Sequence, residues 1–154
     1  MVQGKWFAPG TDPDTAAAVR QEVFGRGQDV LDSMSWNVVV YQDEVPAASG
    51  RIWWQDGAYR LGDIGVLPAW RGRRLGDLVL RLLLFKAQGH FAREVRLAAP
   101  TEVQGFFTRL GFRPDPLSPP TEGAPMEMLL KGDQIDLDTC KNCDRADCPS
   151  RKPD

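Results

Sequence analysis

Residues 66–76, with the sequence VLPAWRGRRLG, combine residue types that can bind an anion. A strand-like run ends at Pro68, and a glycine-containing loop with three arginines then leads directly into a strongly apolar, helix-like run. The unpaired N–H groups and the dipole at the start of a helix attract anions, and arginines add positive charge around them. Residues 70–96 carry seven Arg or Lys and two acids, although the whole chain has a net charge of -2. This pattern predicts a pyrophosphate site, although a tight turn with solvated arginines would show the same residues.

The elements around this loop are short strands and three helices. Asp12 as N-cap, Pro13 at the first helical position and Gly25 at the end predict a first helix over residues 12–24. Turns at residues 42–44 and 55–57 are short enough to join three strands into an antiparallel meander. The predicted strands are residues 37–41, 48–54, 58–66, 94–98, 112–113 and 126–130, and the other helices are residues 76–88 and 102–110. The helix over residues 76–88 is apolar around most of its circumference, so it should lie buried against the sheet.

Two sequence blocks resemble the GNAT acetyltransferase superfamily. The signature of that family is Arg or Gln, two residues, Gly, one residue, then Gly or Ala, and residues 71–76 read Arg-Gly-Arg-Arg-Leu-Gly. Residues 105–112, Gly-Phe-Phe-Thr-Arg-Leu-Gly-Phe, resemble the FYxxxGF block of the family at the expected distance. Upstream, residues 20–24 and Gln28 are similar to an opening block of one bacterial subgroup. The resemblance extends over residues 14–131.

The resemblance implies an α/β (α+β) fold, in which a mixed, mostly antiparallel central sheet has helices on both faces and opens at Val66. It also implies acetyl-CoA as co-substrate, with the pantetheine along the strand that ends at Val66 and the pyrophosphate on the amides of residues 71–76. The coenzyme-binding residues carried over are Val66, Arg71, Gly72, Arg73, Arg74, Leu75, Gly76 and Phe106. In that family an amine attacks the thioester directly, so the implied acceptor is a primary amine of a small molecule or an exposed amino group.

Catalysis requires a neutral amine and a polarised thioester carbonyl, for which a backbone N–H near Val66 is the candidate. Asp63, on the strand that should border the cleft, is the predicted base, and Glu22 is the second candidate or a site for a cationic substrate. Either carboxylate could instead be solvent-facing. Phe107 occupies the place of the proton-donating tyrosine of the family, so water or another group must protonate the thiolate. Arg74 replaces the middle glycine of the signature and should point outward, within reach of a coenzyme phosphate.

Two further features bear on the acceptor side. Trp53 and Trp54 place one indole on each face of a strand, so one is expected in the core while the other packs or lines an acceptor pocket. His90, the single histidine, follows a glycine that should end a helix, and we expect it at the surface.

All three cysteines, Cys140, Cys143 and Cys148, lie in the last 15 residues. The Cys-x-x-Cys spacing lets two thiolates meet one tetrahedral ion and Cys148 could add a third, so these residues form a candidate zinc or iron–sulfur site without an obvious fourth ligand. A reduced tail or a redox-sensitive thiol pair is the alternative. The change of composition after Lys131 divides the chain into an acetyltransferase-like domain, residues 1–131, and an acidic cysteine-containing tail, residues 132–154.

Composition narrows the class of protein. The chain has 19 basic and 21 acidic residues, so it lacks the basic excess of a nucleic-acid binder. No apolar run approaches 18 residues and the N-terminus has no signal-like apolar stretch, so we expect a cytoplasmic protein that spans no membrane. The expected partners are acetyl-CoA and an amine acceptor, bound by a monomer or homodimer. The rival interpretations are a non-catalytic acyl-CoA-binding or regulatory module with a metal- or redox-sensitive tail, and a metal-dependent interaction protein.

Overall fold

The computed structural model describes residues 1–11 and 14–137, which form a seven-stranded mixed sheet flanked by helices. The strands are β1 Val2–Phe7, β2 Trp36–Gln42, β3 Val45–Gln55, β4 Ala58–Val66, β5 Glu94–Ala99, β6 Arg113–Pro114 and β7 Met126–Lys131. The helices are α1 Asp14–Phe24, α2 Leu75–Gly89 and α3 Gln104–Thr108. The strand order across the sheet is β1-β2-β3-β4-β5-β7-β6. The expected N-cap Asp12 and its neighbour Pro13 lie outside the described residues.

Strands β2, β3 and β4 form the predicted antiparallel meander. Each connection is a two-residue turn with positive φ at both central residues, Asp43 and Glu44 in the first turn and Asp56 and Gly57 in the second. Turns of this hand match the right-handed twist of the strands that they join. The short turn sequences therefore fix the order of the three strands that precede the anion-binding loop.

Helices α1 and α2 cover opposite faces of the sheet, as the resemblance implied. A Cβ on Gly50 of β3 would lie 2.7 Å from Cγ1 of Val79 in α2. A Cβ on Gly65 of β4 would lie 2.9 Å from Cε2 of Phe24, at the end of α1. The two glycines therefore let one helix on each face approach the backbone closely. The main core lies between α2 and the sheet, and its most buried members include Val38, Ile52, Leu80, Leu83, Leu84 and Val95.

Strands β4 and β5 are parallel neighbours that separate soon after they begin to pair. Their register contains two residue pairs, Tyr59 with Val95 and Arg60 with Arg96. β4 then continues to Val66 and β5 to Ala99. The carboxyl ends of the two strands therefore leave a gap in the middle of the sheet, next to the loop that the sequence marks for anion binding.

Four features differ from the sequence-based expectations. β1 was not predicted, because this edge strand is exposed over its first four residues and lacks a clear apolar alternation. The third helix is shorter than residues 102–110: a 3₁₀ turn, Thr101–Val103, precedes α3, and Gly111 with φ of +100° follows it. A charged residue on a helix is normally exposed, but Arg20 of α1 is only 1% exposed because it is paired inside the protein. Helix α2 ends at Gly89 as expected, but the left-handed residue that follows it is Phe91, which the sequence did not indicate.

The segment after β7 continues the packing of the domain. Ile135 is buried in the main core, and the N–H of Gly132 donates to the carbonyl of Arg93 at 2.8 Å. The packed unit therefore includes at least the first residues after Lys131, the boundary expected from composition. The division into a domain, residues 1–131, and a tail, residues 132–154, stays a prediction, because residues 138–154 lie outside the described part of the chain. Within residues 1–11 and 14–137, the helices are too short or too polar to cross a membrane.

Candidate active site

The loop between β4 and α2 has the geometry of an anion-binding turn. A 3₁₀ turn, Pro68–Trp70, follows β4, and Gly72 then adopts φ of +82°, which favours glycine. Arg74 is the N-cap of α2 and has φ of +59°, so an arginine holds a left-handed conformation where the family signature has glycine. The Arg74 side chain makes no capping hydrogen bond, which leaves the first N–H groups of α2 without a side-chain acceptor from their own N-cap.

This turn forms one wall of a cavity of about 320 Å³, which we call the loop cavity. The Nε of Arg71 donates to the carbonyl of Val66 at 3.1 Å and ties the loop to the end of β4. The cavity residues are Val66, Trp70, Arg71, Gly72, Arg74, Leu75, Gly76, Asp77, Arg81, Phe106, Arg109 and Leu110. Seven of the eight coenzyme-binding residues expected from the resemblance are among them. The eighth, Arg73, instead has its guanidinium 4.9 Å from the ring centre of Trp70.

Arg81 is a loop-cavity residue that sequence reasoning missed. It is one of the few charged residues of the apolar helix α2, its side chain is only 10% exposed, and its Nε donates to Asp77 at 2.8 Å. Its Nη1 is buried and has no hydrogen-bond partner among the described residues. A buried guanidinium with an unused donor beside a cavity is suited to an anionic or carbonyl-bearing ligand. The Asp77–Arg81 spacing of four residues was the signal available in the sequence.

A second cavity, of about 540 Å³, lies beside the same end of β4, and we call it the strand cavity. Its wall is mainly apolar, with Phe24, Leu31, Trp53, Leu61, Ile64, Leu97, Pro100, Val103, Phe107 and Pro125 among its residues. Its charged residues are Arg26, Asp29, Arg51, Arg60 and Asp63. Val66 lines the loop cavity and Asp63 lines the strand cavity, so the two cavities flank the last four residues of β4.

Asp63, the predicted base, lies at a bulge in β4. Ser49 pairs with Gly65 and Arg51 with Gly62, so two β4 residues stand opposite the single Gly50, and Asp63 has φ of +54°. Its side chain is 7% exposed, with one oxygen 2.5 Å from Arg26 and the other 2.7 Å from Arg51. Each oxygen therefore already faces a guanidinium. An amine can reach this carboxylate only by sharing or displacing one of those cations.

A buried ion-pair network supports Asp63 from behind. Arg51 is 1% exposed, and its two terminal nitrogens lie 2.6 and 2.7 Å from the oxygens of Asp29. Arg20 pairs in turn with Asp32 at 3.1 Å and donates to the amide oxygen of Asn37. The network joins α1, the segment between α1 and β2, and strands β2, β3 and β4, and it was not predicted from the sequence.

The network lowers the pKa of two of its carboxyls. For Asp29, the hydrogen bonds from Arg51 are the main reason that the pKa lies below its ordinary value. For Asp32, burial raises the pKa, but hydrogen bonds from Arg20 and from the backbone of Asp29 outweigh it, so the pKa is lowered. Burial disfavours the charge of Arg51, yet its contacts with Asp29 and Asp63 leave its pKa raised. These residues are therefore fixed charges at neutral pH.

Comparison with known proteins decides the family. The sequence matches the family model described as an acetyltransferase (GNAT) domain over residues 35–114, about half of the chain. The chain belongs to the GNAT acetyltransferase family. As a GNAT member it is an acetyl-CoA-dependent N-acetyltransferase, and the matched region includes both the loop between β4 and α2 and the Phe106–Phe107 pair.

Individual relatives agree with this assignment. The chain is 32% identical over 103 residues to the uncharacterized N-acetyltransferase YjcF of Bacillus subtilis, a match that covers 62% of this chain and 74% of that protein. Its fold is similar to Escherichia coli ElaA, with a TM-score of 0.70 and 20% identity, over 84% of this chain and 99% of that one. It is also similar to a GNAT acetyltransferase from Elizabethkingia anophelis with acetyl-CoA bound, with a TM-score of 0.65 and 11% identity, over 84% and 97% of the two chains. At these identities the two structures show the fold alone.

Of the remaining candidate residues of this GNAT enzyme, Trp53 lines one of the two cavities, whereas Glu22, Trp54 and His90 line neither. Glu22 is exposed on α1 and is not among the residues that line either cavity. Trp53 is the buried member of the tryptophan pair and lines the strand cavity, whereas Trp54 is 53% exposed and makes an edge-to-face contact with Tyr59. The exposed His90 makes edge contacts with aromatic rings away from the cavities. The roles given to Glu22 and Asp63 stay predictions.

Phe107 and the three cysteines are the remaining residues on which the predicted chemistry depends. Phe107 is buried beside Phe106 and Phe112 and lines the strand cavity, where its ring has no proton to give. Cys140, Cys143 and Cys148 lie outside the described residues, so the zinc or iron–sulfur site stays a prediction. Within the part of the chain that the structure describes, no group of three or more His, Cys, Asp or Glu side chains is arranged to hold a metal ion.

Proposed function

We propose that the enzyme transfers the acetyl group of acetyl-CoA directly to a primary amine held in the strand cavity. The position of the two cavities on one stretch of β4 carries this proposal. Val66 and Phe106 line the loop cavity, whereas Asp63 and Phe107 line the strand cavity. A thioester in the gap between β4 and β5 then has the rest of the coenzyme on one side, in the loop cavity, and the acceptor amine on the other side, in the strand cavity.

In this proposal, the pyrophosphate of acetyl-CoA binds at the start of α2. The first N–H groups of that helix and its dipole favour the anion, and Arg71 and Arg74 add two exposed cations at the cavity wall. We add Arg81 to the proposed coenzyme-binding residues because of its buried, unused Nη1 donor. The proposed set is otherwise Val66, Arg71, Gly72, Arg73, Arg74, Leu75, Gly76 and Phe106, with Arg73 contributing charge from outside the cavity.

The backbone N–H of Val66 is the proposed donor to the thioester carbonyl. The next N–H along the strand, that of Leu67, donates to the carbonyl of Ala47 on the β3 side at 2.8 Å. Successive N–H groups of a strand point to opposite edges, so the N–H of Val66 points to the side where β5 has separated. A donor aimed at the carbonyl stabilises the negative charge that develops on its oxygen during acyl transfer.

The proposed role of Asp63 is to receive the proton of the incoming ammonium. An alkylammonium has no lone pair until it loses a proton, and its pKa lies near ~10 in water. The freed amine attacks the carbonyl carbon, a C–N bond forms, and the C–S bond breaks to release the coenzyme thiolate. We propose that water protonates this thiolate, since Phe107 cannot and a thiol pKa near ~8.5 makes the step undemanding.

The test is release of free coenzyme thiol from acetyl-CoA in the presence of polyamines, amino acids and aminoglycosides, with the acetylated product identified by mass spectrometry. We expect turnover on at least one of these amines and tight binding of acetyl-CoA by calorimetry. Tight coenzyme binding without product on any amine would overturn acetyl transfer and favour a non-catalytic binding module. Absence of coenzyme binding would overturn the assignment of the loop cavity itself.

A further inference from the structure

The strand cavity has an ion pair at its solvent side. Arg26 is 56% exposed and lies 2.5 Å from the buried Asp63, and its guanidinium stands 5.2 Å from the ring centre of Phe24. Arg26 and Asp63 both line the cavity. The pair therefore presents a positive and a negative group side by side to any ligand that enters.

The other charges of this cavity are already committed. Arg51 holds Asp29 through two hydrogen bonds, and both groups belong to the buried network. Arg60 donates from one nitrogen to both oxygens of Glu127 at 3.0 and 3.1 Å. In the Arg26–Asp63 pair, by contrast, an exposed guanidinium lies beside a buried carboxylate, so an entering ligand can reach this pair.

An ion pair of this kind is complementary to a zwitterion. A ligand with an ammonium alone would bring a third positive charge beside Arg26 and Arg51, which already share Asp63. A carboxylate next to that ammonium removes the repulsion and offers Arg26 the fork-shaped partner that guanidinium groups prefer. The entering ligand then replaces one ion pair by two, with its ammonium on Asp63 and its carboxylate on Arg26.

The rest of the cavity indicates the side chain of such a ligand. Beyond the ion pair the wall is formed mainly by apolar groups, among them Trp53, Leu61, Leu97 and Phe107. The volume of about 540 Å³ lies within the range of small-molecule sites. An apolar or aromatic side chain buries its surface there without leaving a polar group unpaired.

We propose that the acceptor is a free α-amino acid with an apolar or aromatic side chain, whose ammonium meets Asp63 and whose carboxylate binds Arg26. The inference rests on the proposed acetyl transfer and names its substrate class. In the reaction the ammonium gives one proton to Asp63, and the neutral nitrogen forms the amide bond and gives a second proton to water. The thioester C–S bond breaks, the sulfur leaves as thiolate and is protonated by water, and Asp63 returns its proton to solvent. The products are the N-acetyl amino acid and free coenzyme.

The test compares kcat/KM for phenylalanine and leucine with kcat/KM for phenylalaninamide and phenethylamine, which keep the amine and lack the carboxylate. We expect the amino acids to be preferred by about 10- to 100-fold, the range for a hydrogen bond between charged groups. The amine of the amide loses its proton more readily, so this bias works against the expected result. In Arg26→Gln we expect kcat/KM for phenylalanine to fall more than kcat/KM for phenethylamine, so that the preference drops below threefold. Arg93→Gln, an exposed arginine outside both cavities, should keep the wild-type preference.

The outcomes separate this inference from the proposed function. Equal kcat/KM for phenylalanine and its amide in the wild type would overturn the inference and leave acetyl transfer standing, as would peptides with free N-termini as the best substrates. If Arg26→Gln kept the wild-type preference for amino acids, with wild-type affinity for acetyl-CoA as evidence of folding, the assignment of Arg26 to the substrate carboxylate would be overturned. Failure of every amine would overturn the proposed function instead.

Discussion

Replacing Arg51 by methionine removes a cation that reaches three carboxylates at once. Its terminal nitrogens lie 2.6 Å from Asp29, 2.7 Å from Asp63 and 3.4 Å from Asp32. The Arg51 side chain is 1% exposed and Asp32 and Asp63 are buried, so water has little room to replace the contacts with these two carboxylates, whereas the Asp29 side chain is 37% exposed. Breaking a buried ion pair costs about 3–5 kcal/mol because the remaining charge stays desolvated. Methionine is flexible and apolar and fills irregular space, so the change chiefly tests the loss of charge.

We expect urea unfolding at pH 7.5 to give Arg51→Met a free energy of unfolding about 3–5 kcal/mol below that of the wild type. In the wild type the pKa values of Asp29 and Asp32 are lowered from 3.8. The stability that these two carboxylates contribute is therefore complete above that value and is lost as pH falls through their folded pKa values. Without Arg51 burial raises the pKa of both carboxyls relative to the wild type, so they take up protons at higher pH. The difference between variant and wild type should consequently be smaller at pH 5 than at pH 7.5.

Arg93→Met is the matched control, because Arg93 is exposed and lies outside both cavities. Its free energy of unfolding should stay within about 0.5 kcal/mol of the wild type, as for most surface substitutions. A loss below about 1 kcal/mol in Arg51→Met at pH 7.5 would refute the view that the network is a tightly coupled buried unit. A difference that grows as pH falls would refute the assignment of that loss to unpaired carboxylates.

Three further substitutions test the two cavities. Gly76→Glu should weaken calorimetric binding of acetyl-CoA by about 100-fold or more, because a Cβ fits 3.6 Å from Val66 while the new carboxylate repels the phosphate; Gly89→Glu, at the open end of the same helix, should leave the affinity unchanged, and equal effects would contradict the assignment. Arg81→Met should weaken coenzyme binding by about tenfold, since its Nη1 has no protein partner among the described residues, and should change the urea midpoint little, because the lost ion pair with the partly exposed Asp77 is a weak contact within one helix; wild-type affinity would exclude a ligand contact. Asp63→Asn should lower turnover at neutral pH by about 100-fold or more and leave coenzyme affinity nearly intact, and full activity would remove its role as base.

Local sequence signals were sufficient for the parts of the fold that depend on neighbouring residues. The two short turns predicted the meander, and the apolar run of α2 predicted a helix buried on the sheet. The edge strand β1 was not predicted. Only one of its edges pairs with another strand and its first four residues are exposed, so these residues show no apolar alternation. Gly105 and the 3₁₀ turn before it weaken the third helix, which the apolar spacing alone made too long.

The candidate site was predictable where it consists of one continuous segment. The glycine and arginine pattern of residues 71–76 marked the loop cavity, and even the left-handed Arg74 follows from the frame of the signature. The strand cavity was not predictable from the sequence, because it depends on ion pairs such as Arg20–Asp32 and Arg51–Asp63 between distant parts of the chain. A lone charged residue in a sequence reads as solvent-facing until its partner is known. The bulge at Asp63 likewise depends on the register between β3 and β4.

Because β4 and β5 share only two residue pairs, the sheet consists of two parts with little backbone pairing between them. Strands β1–β4 form one part and β5–β7 the other, and they are joined by two backbone residue pairs, by the Arg60–Glu127 ion pair and by the core that both parts share under α2. In the binding mode proposed above, the coenzyme lies in the gap between these two parts. Its binding free energy therefore adds to the cohesion of the whole molecule, so the unfolding temperature should climb with coenzyme concentration.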